Sequence, residues 1–95
     1  MATFVMLSRL TDQGARTVKE NPEHILEVND QLAEIGVNVL QQFAVLGSYD
    51  FINIVQAADA EVVTRASLEL SSRGSVRIET LPAMPVEGLI EVLKG

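Results

Sequence analysis

The sequence predicts an α+β domain built on an antiparallel sheet with its helices on one face. Three observations predict it. Strand-like apolar runs alternate with segments of helical periodicity. Two of the strand segments are separated only by the short turn Gly47-Ser48-Tyr49-Asp50. The helical segments are bounded by Thr, Asn, Asp and Gly at positions suited to caps. With 95 residues the chain makes one domain, and 47% hydrophobic with 21% charged residues is the composition of an ordinary globular protein.

Each element follows from its residues. Ala2 to Leu10 has strand composition, with Phe4, Val5, Met6 and Leu7 in one apolar run. Thr11-Asp12 is a helix start with Thr11 as N-cap, and a short helix runs to about Lys19. Gly14 is expected to weaken that helix by about 1 kcal/mol relative to Ala. Asn21-Pro22 predicts the next start, with Asn21 as N-cap and Pro22 in the first helical position. From Pro22 to about Ile35, the residues Ile25, Val28, Leu32 and Ile35 share one face. Glu23, Glu27, Asp30 and Glu34 line the opposite face, which reads as solvated. Gly36 supplies a left-handed stop.

Val37 to Leu46 and Phe51 to Ala57 are the second and third strands, and so short a connection makes them a hairpin. Asp59 caps a helix that buries Val63, Ala66 and Leu70 and ends at Gly74. Ser75 to Leu81 is the fourth strand, followed by Pro82 and Pro85. Val86 to Lys94 is a short last helix with Leu89, Ile90 and Leu93 apolar. The order strand, helix, strand, strand, helix, strand is the split βαβ, ferredoxin-like arrangement with a helical tail. Right-handed crossovers then place the long helices on one side of the sheet.

The other side of that sheet is expected to be polar in a monomer, and here it is not. Ile52 and Ile54 alternate with Phe51, Asn53 and Val55, while Phe4 and Met6 alternate with Thr3, Val5 and Leu7. In the second strand Val37, Val39, Phe43 and Val45 alternate with Asn38, Leu40, Gln42 and Leu46. A bare apolar face is a sticky patch. The expectation is therefore a cover, either a second copy packed sheet on sheet or the C-terminal helix folded back.

Composition removes several classes of function. Without Cys there is no disulfide, thiolate nucleophile, iron–sulfur cluster or Cys-type zinc site, and a single His excludes a multi-histidine metal site within one chain. No metal or cofactor is expected. A net charge of -6 argues against nucleic acid as a partner. No stretch approaches the ~20 apolar residues of a membrane span. The apolar start lacks a basic n-region and is interrupted by Ser8 and Arg9, so it reads as a strand rather than a signal peptide. The expected location is the cytoplasm.

Few residues carry chemistry by themselves. There is no Gly-x-Ser-x-Gly elbow to set up a serine nucleophile. His24, in the first turn of the long helix, is a candidate base or ligand contact at a pocket mouth; the bland alternative is an exposed histidine. Ser71-Ser72-Arg73-Gly74-Ser75 looks like an anion cradle but follows a helix, whose C-terminal carbonyls have the wrong polarity for phosphate. Arg77 and Glu79 share a face of the fourth strand, as an interface ion pair or, for Arg77, a ligand anchor. Tyr49 and Asp50 either stabilise the turn, with Gly47 supplying a positive φ, or line a pocket at an oligomer contact.

Three blocks taken together, Thr11-Asp12-Gln13-Gly14, Gly47-x-Tyr49-Asp50 and Val76-Arg77-Ile78-Glu79-Thr80-Leu81, resemble the GYD domain family over nearly the whole chain. The resemblance implies a small ferredoxin-like protein of the dimeric α+β barrel type, without an established activity. Pro82-Ala83-Met84 stands where that family tends to carry a basic-then-aromatic sequence. The turn and the later strand also look like the ligand-binding domain of leucine-responsive-type transcription regulators, which oligomerise and bind amino acids. No helix-turn-helix segment accompanies it here, so this would be a stand-alone effector-binding version.

Three functions compete. The first is a non-catalytic, homo-oligomeric small-molecule-binding or sensing module, with Tyr49, Asp50, Arg77 and His24 as candidate ligand contacts. The second is a cofactor-independent monooxygenase or isomerase of the dimeric α+β barrel type, which predicts His24, Tyr49 or Asp50 pointing into an enclosed apolar cavity. The third is a pure assembly protein. Its partners are copies of itself or another protein, and it has no pocket.

Overall fold

The computed structural model covers Met1–Gly95 and has the element order β1 (Ala2–Leu10), α1 (Asp12–Glu20), α2 (His24–Ile35), β2 (Asn38–Ala44), β3 (Phe51–Ala57), α3 (Ala60–Ser71), β4 (Val76–Ala83) and α4 (Val86–Lys94). The four strands form one sheet in the order β2-β3-β1-β4, with every neighbour antiparallel. This is the ferredoxin-like α+β fold, with the first crossover made of two consecutive helices. Pro82 is accommodated because β4 is an edge strand, where a missing N–H costs no ladder bond on the open side.

The core lies between the sheet and α2 and α3. Phe4 and Met6 from β1, Val55 and Ala57 from β3, Leu32 from α2 and Val63, Ala66 and Leu70 from α3 are all buried, and Val37 joins them just after α2. The caps at Thr11 and Asp59 form as the sequence predicts: Thr11 Oγ1 accepts the Gly14 N–H at 3.2 Å and Asp59 Oδ1 accepts the Val62 N–H at 3.0 Å. Gly36 closes α2 at φ 104°.

Two local expectations are corrected. Asn21 is not the N-cap of α2. Its N–H closes α1 on Thr17 O at 2.9 Å and its carbonyl accepts from the His24 N–H at 3.0 Å. The residues Asn21–His24 thus make a turn, and α2 begins at His24 behind Glu23, which makes no side-chain cap. The strict alternation read along β2 also fails. The pairing slips between Val39 and Gln41, leaving Leu40 as a bulge. Val39 pairs with Val55 before the bulge and Gln42 pairs with Asn53 after it, so both face the helices while Phe43 turns outward.

The outer sheet face is apolar, as expected. Val5 and Leu7 pair with Ile54 and Ile52, Phe43 adjoins Ile52, and Leu81 pairs with Val5. Phe43 is 54% and Leu81 44% exposed. Helix α4 does not cover them: none of its residues is buried, and Val86, Val92 and Leu93 are each more than half exposed.

Candidate functional site

On the helix side of the sheet, α1, α2 and the end of α3 stand far enough apart to leave a cavity of about 120 Å³. Met6, Val28, Leu32, Phe51 and Leu70 give it an apolar wall, and Ser8, Asn29, Gln42 and Asn53 give it a polar strip. His24 and Arg73 also line it, and no Asp or Glu does. An apolar concavity with a few convergent polar groups is the usual form of a small-molecule site.

The polar strip is a chain of side-chain hydrogen bonds from the sheet to α2. Asn53 is 7% exposed; its Nδ2 donates to the Met6 carbonyl at 2.8 Å and to Ser8 Oγ at 3.1 Å. Its Oδ1 accepts from Gln42 Nε2 at 2.8 Å. Gln42 and Asn29 then exchange a reciprocal pair, at 2.9 Å into Gln42 Oε1 and 3.2 Å into Asn29 Oδ1. No buried side-chain N or O lacks a partner. The bulge at Leu40 places Gln42 in this chain, since without it Gln42 would face outward.

Of the candidate ligand contacts Tyr49, Asp50, Arg77 and His24, only His24 lines this cavity, and it is joined there by Arg73 and Ser75 from the segment that the sequence reading set aside as a helix stop. The His24 Nδ1 lies 3.0 Å from Glu27 Oε2, one turn along α2. Arg73, at the end of α3, donates to Gln31 Oε1 and stands 3.7 Å from Glu69 Oε1.

The Gly47–Asp50 turn is instead a clamp on the C-terminal end of β1. Gly47 adopts φ 142°. Asp50 Oδ2 accepts the Leu10 N–H at 2.8 Å, and the Asp50 N–H donates to the Ser8 carbonyl at 2.8 Å. Tyr49 donates its hydroxyl to Glu79 Oε2 at 2.5 Å, and Arg9 Cζ lies 5.4 Å from the Tyr49 ring centroid. Arg9 Nε also donates to the Ser48 carbonyl at 2.8 Å. The hydrogen bond to the Glu79 carboxylate holds the Tyr49 phenol above its usual range; desolvation and the Glu79 charge add to this, and the Arg9 guanidinium opposes it. Arg77 sits opposite Arg9 in the β1–β4 register. Glu79 engages Tyr49, and Arg77 makes no ion pair with it within the chain.

A model of the GYD domain matches residues 4–93. The chain belongs to the GYD-domain family. In this GYD domain Gly47, Tyr49 and Asp50 belong to the turn that ties β2–β3 to β1 and β4. A Thermus thermophilus protein named glutamine synthetase and cystathionine beta-lyase binding protein is 57% identical to it over 95 residues, spanning 99% of this chain and 100% of that protein. A crystal structure of another Thermus thermophilus protein superposes with a TM-score of 0.59 at 26% identity, covering 90% of this GYD domain and 95% of that chain.

The sequence reading missed Ser8, Asn29, Gln42 and Asn53 as members of one site, and it set Arg73 aside because a helix C-terminus has the wrong polarity for an anion, whereas the Arg73 side chain reaches the cavity. Asn53 and Ser8 carried a signal: each is a polar residue at an inward position of an otherwise apolar strand, and such residues are retained where they bond to something. Asn29 and Gln42 had none, because their meeting depends on the bulge.

Proposed function

We propose that this GYD domain is a non-catalytic, homo-oligomeric binding module that takes a small molecule into the helix-side cavity and docks on protein partners in the cytoplasm. The cavity between α1, α2 and the sheet carries the reading. A pure assembly protein has no use for it, and its polar strip is fully organised in advance of any ligand, as preorganised sites are. The lining pairs no nucleophile with a base, since the His24 Nδ1 is directed to Glu27 and the Ser8 oxygen to Asn53. Binding without turnover is what such a lining supports.

Self-association rests on the outer sheet face. Val5, Leu7, Phe43, Ile52, Ile54 and Leu81 form an apolar surface that the chain's own helices leave uncovered. A second copy, packed sheet on sheet, removes that surface from water. The docking role extends to this chain the partners in its relative's name, glutamine synthetase and cystathionine beta-lyase. The unburied apolar residues of α4 are a ready contact for them.

Native mass spectrometry of freshly purified protein tests the reading. A multiple of 10.3 kDa supports self-association, and an added small mass per subunit supports the ligand. A bare monomer that also fails to comigrate with either enzyme in analytical ultracentrifugation overturns it.

A further inference from the structure

We infer that the helix-side cavity selects a small branched aliphatic monocarboxylate, held as its anion, and discriminates against both the neutral amide and the α-amino acid of the same skeleton. The inference rests on the binding reading above and gives it a ligand class.

The charge of the lining is the first argument. The chain has 13 Asp and Glu against 7 Lys and Arg, so an arbitrary patch of its surface is expected to be acidic. The cavity is the reverse: Arg73 and His24 are its ionisable residues, and no carboxylate lines it. Glu69 and Glu27 neighbour those two residues but lie outside the lining. A carboxylate ligand competes with these two side chains for the Arg73 guanidinium and the His24 ring. An ammonium group, in contrast, finds no anionic partner in the lining and is desolvated at a loss.

The hydrogens of the polar strip are the second argument. Both Asn53 Nδ2 hydrogens are committed, to Met6 O and Ser8 Oγ, and both Gln42 Nε2 hydrogens are committed, to Asn53 Oδ1 and Asn29 Oδ1. Ser8 Oγ serves as an acceptor, which leaves its own O–H with no acceptor in the protein, and Asn29 Nδ2 keeps one N–H after bonding Gln42. The strip therefore offers two uncommitted donors to a ligand oxygen. Charge-assisted bonds to a carboxylate are about twice as strong as those to a neutral carbonyl.

Size sets the third limit. A cavity of about 120 Å³ is close to the ~150 Å³ that admits a benzene ring. A short branched acid such as isovalerate is of that order, with its tail against Met6, Leu32 and Leu70, and a ring that also bears a carboxylate exceeds it.

The test titrates the ¹⁵N-labelled full chain with isovalerate, isovaleramide and valine in parallel, following the Asn29, Gln42 and Asn53 side-chain amides. Isovalerate is expected to shift these signals saturably, with isovaleramide and valine about tenfold weaker or more. Arg73→Gln, at an exposed position that leaves the core intact, is expected to weaken isovalerate about tenfold and to leave isovaleramide unchanged. Ser8→Ala is expected to weaken isovalerate as well, with folding checked by the dispersion of the remaining spectrum. Equal binding of isovaleramide or of valine overturns the carboxylate assignment and leaves the binding-module reading standing. No shift of the strip with any of the three overturns the carboxylate assignment and removes the cavity from the module reading too.

Discussion

A Cβ placed on Gly14 would lie 1.9 Å from the carbonyl oxygen of Ser75. The first turn of α1 thus packs backbone to backbone against the start of β4. Thr11 fastens the same contact, donating its N–H to Ser75 O at 3.1 Å and its hydroxyl to Gly74 O at 2.7 Å. Helix propensity alone makes Gly14→Ala stabilising by about 1 kcal/mol. The contact reverses the sign, because a carbonyl oxygen held by the strand has no rotamer to move into. The expected result is a loss of about 2–3 kcal/mol in urea unfolding, as for overpacked sites. A stabilised Gly14→Ala protein would show that α1 moves freely away from β4.

Tyr49 is the only tyrosine and there is no tryptophan, so near-ultraviolet absorbance of the phenolate reads this one group. Its pKa is raised by the hydrogen bond to Glu79, so ionisation is expected above the ordinary value of about 10. The sign follows from the shift: a pKa raised on folding means that the neutral phenol is favoured in the folded state. That contribution is complete below the unfolded pKa and is lost as pH rises through the folded one. Stability is therefore expected not to vary with pH through Tyr49 near neutrality and to fall in the alkaline range. Glu79→Gln removes the charge and is expected to bring the titration midpoint back down. An unchanged midpoint in that variant would mean that Glu79 is not the cause.

The contrast between Gly14 and Ile54 shows which parts of this molecule are legible before folding. The apolar positions of α2, α3, β1 and β3 recur with helix or strand period, so the core and the bare outer face follow from counting along the chain. Asp59 and Thr11 announce their helices because capping is a local bond. Gly14 looks like a weak helix residue because the oxygen it must clear belongs to Ser75, far along the chain. Pro22 misleads by two residues because Asn21 is already spent on α1. Gln42 reaches the cavity only through the bulge at Leu40, and no local feature of the sequence marks that bulge. Tyr49 and Asp50 stand out as a motif, but the motif alone does not separate a clamp from a ligand site. The Leu10 N–H and the Glu79 carboxylate make that distinction.

Asn53 joins the cavity strip to β1 and is the residue on which the strip depends. Asn53→Ala leaves the Met6 carbonyl, Ser8 Oγ and one Gln42 hydrogen without their partner. Such losses cost about 1–3 kcal/mol each when water cannot replace the bond, and an adjoining cavity lets water in. A net destabilisation of about 2–3 kcal/mol is expected in chemical denaturation. Asn53→Leu is expected to cost as much or more, since it fills the strip's space but still strands the Gln42 amide. A variant as stable as the parent would mean that the strip is dispensable for folding.

Ile54 lies on the outer face beside Val5, in the middle of the apolar surface assigned to a second copy. Its side chain points away from the core residues Val55 and Ala57, so Ile54→Lys removes little intramolecular packing. A lysine carried into a sheet-on-sheet contact is a charge buried without a partner, which opposes association. Ile54→Lys is expected to convert the oligomer to monomer in sedimentation-velocity runs while its far-ultraviolet circular dichroism stays that of the parent. The cavity is on the other face of the sheet, so isovalerate binding is expected to persist in the monomer. An Ile54→Lys protein that still sediments as the parent oligomer would place the contact elsewhere, with α4 and its exposed Val92 and Leu93 the next surface to alter.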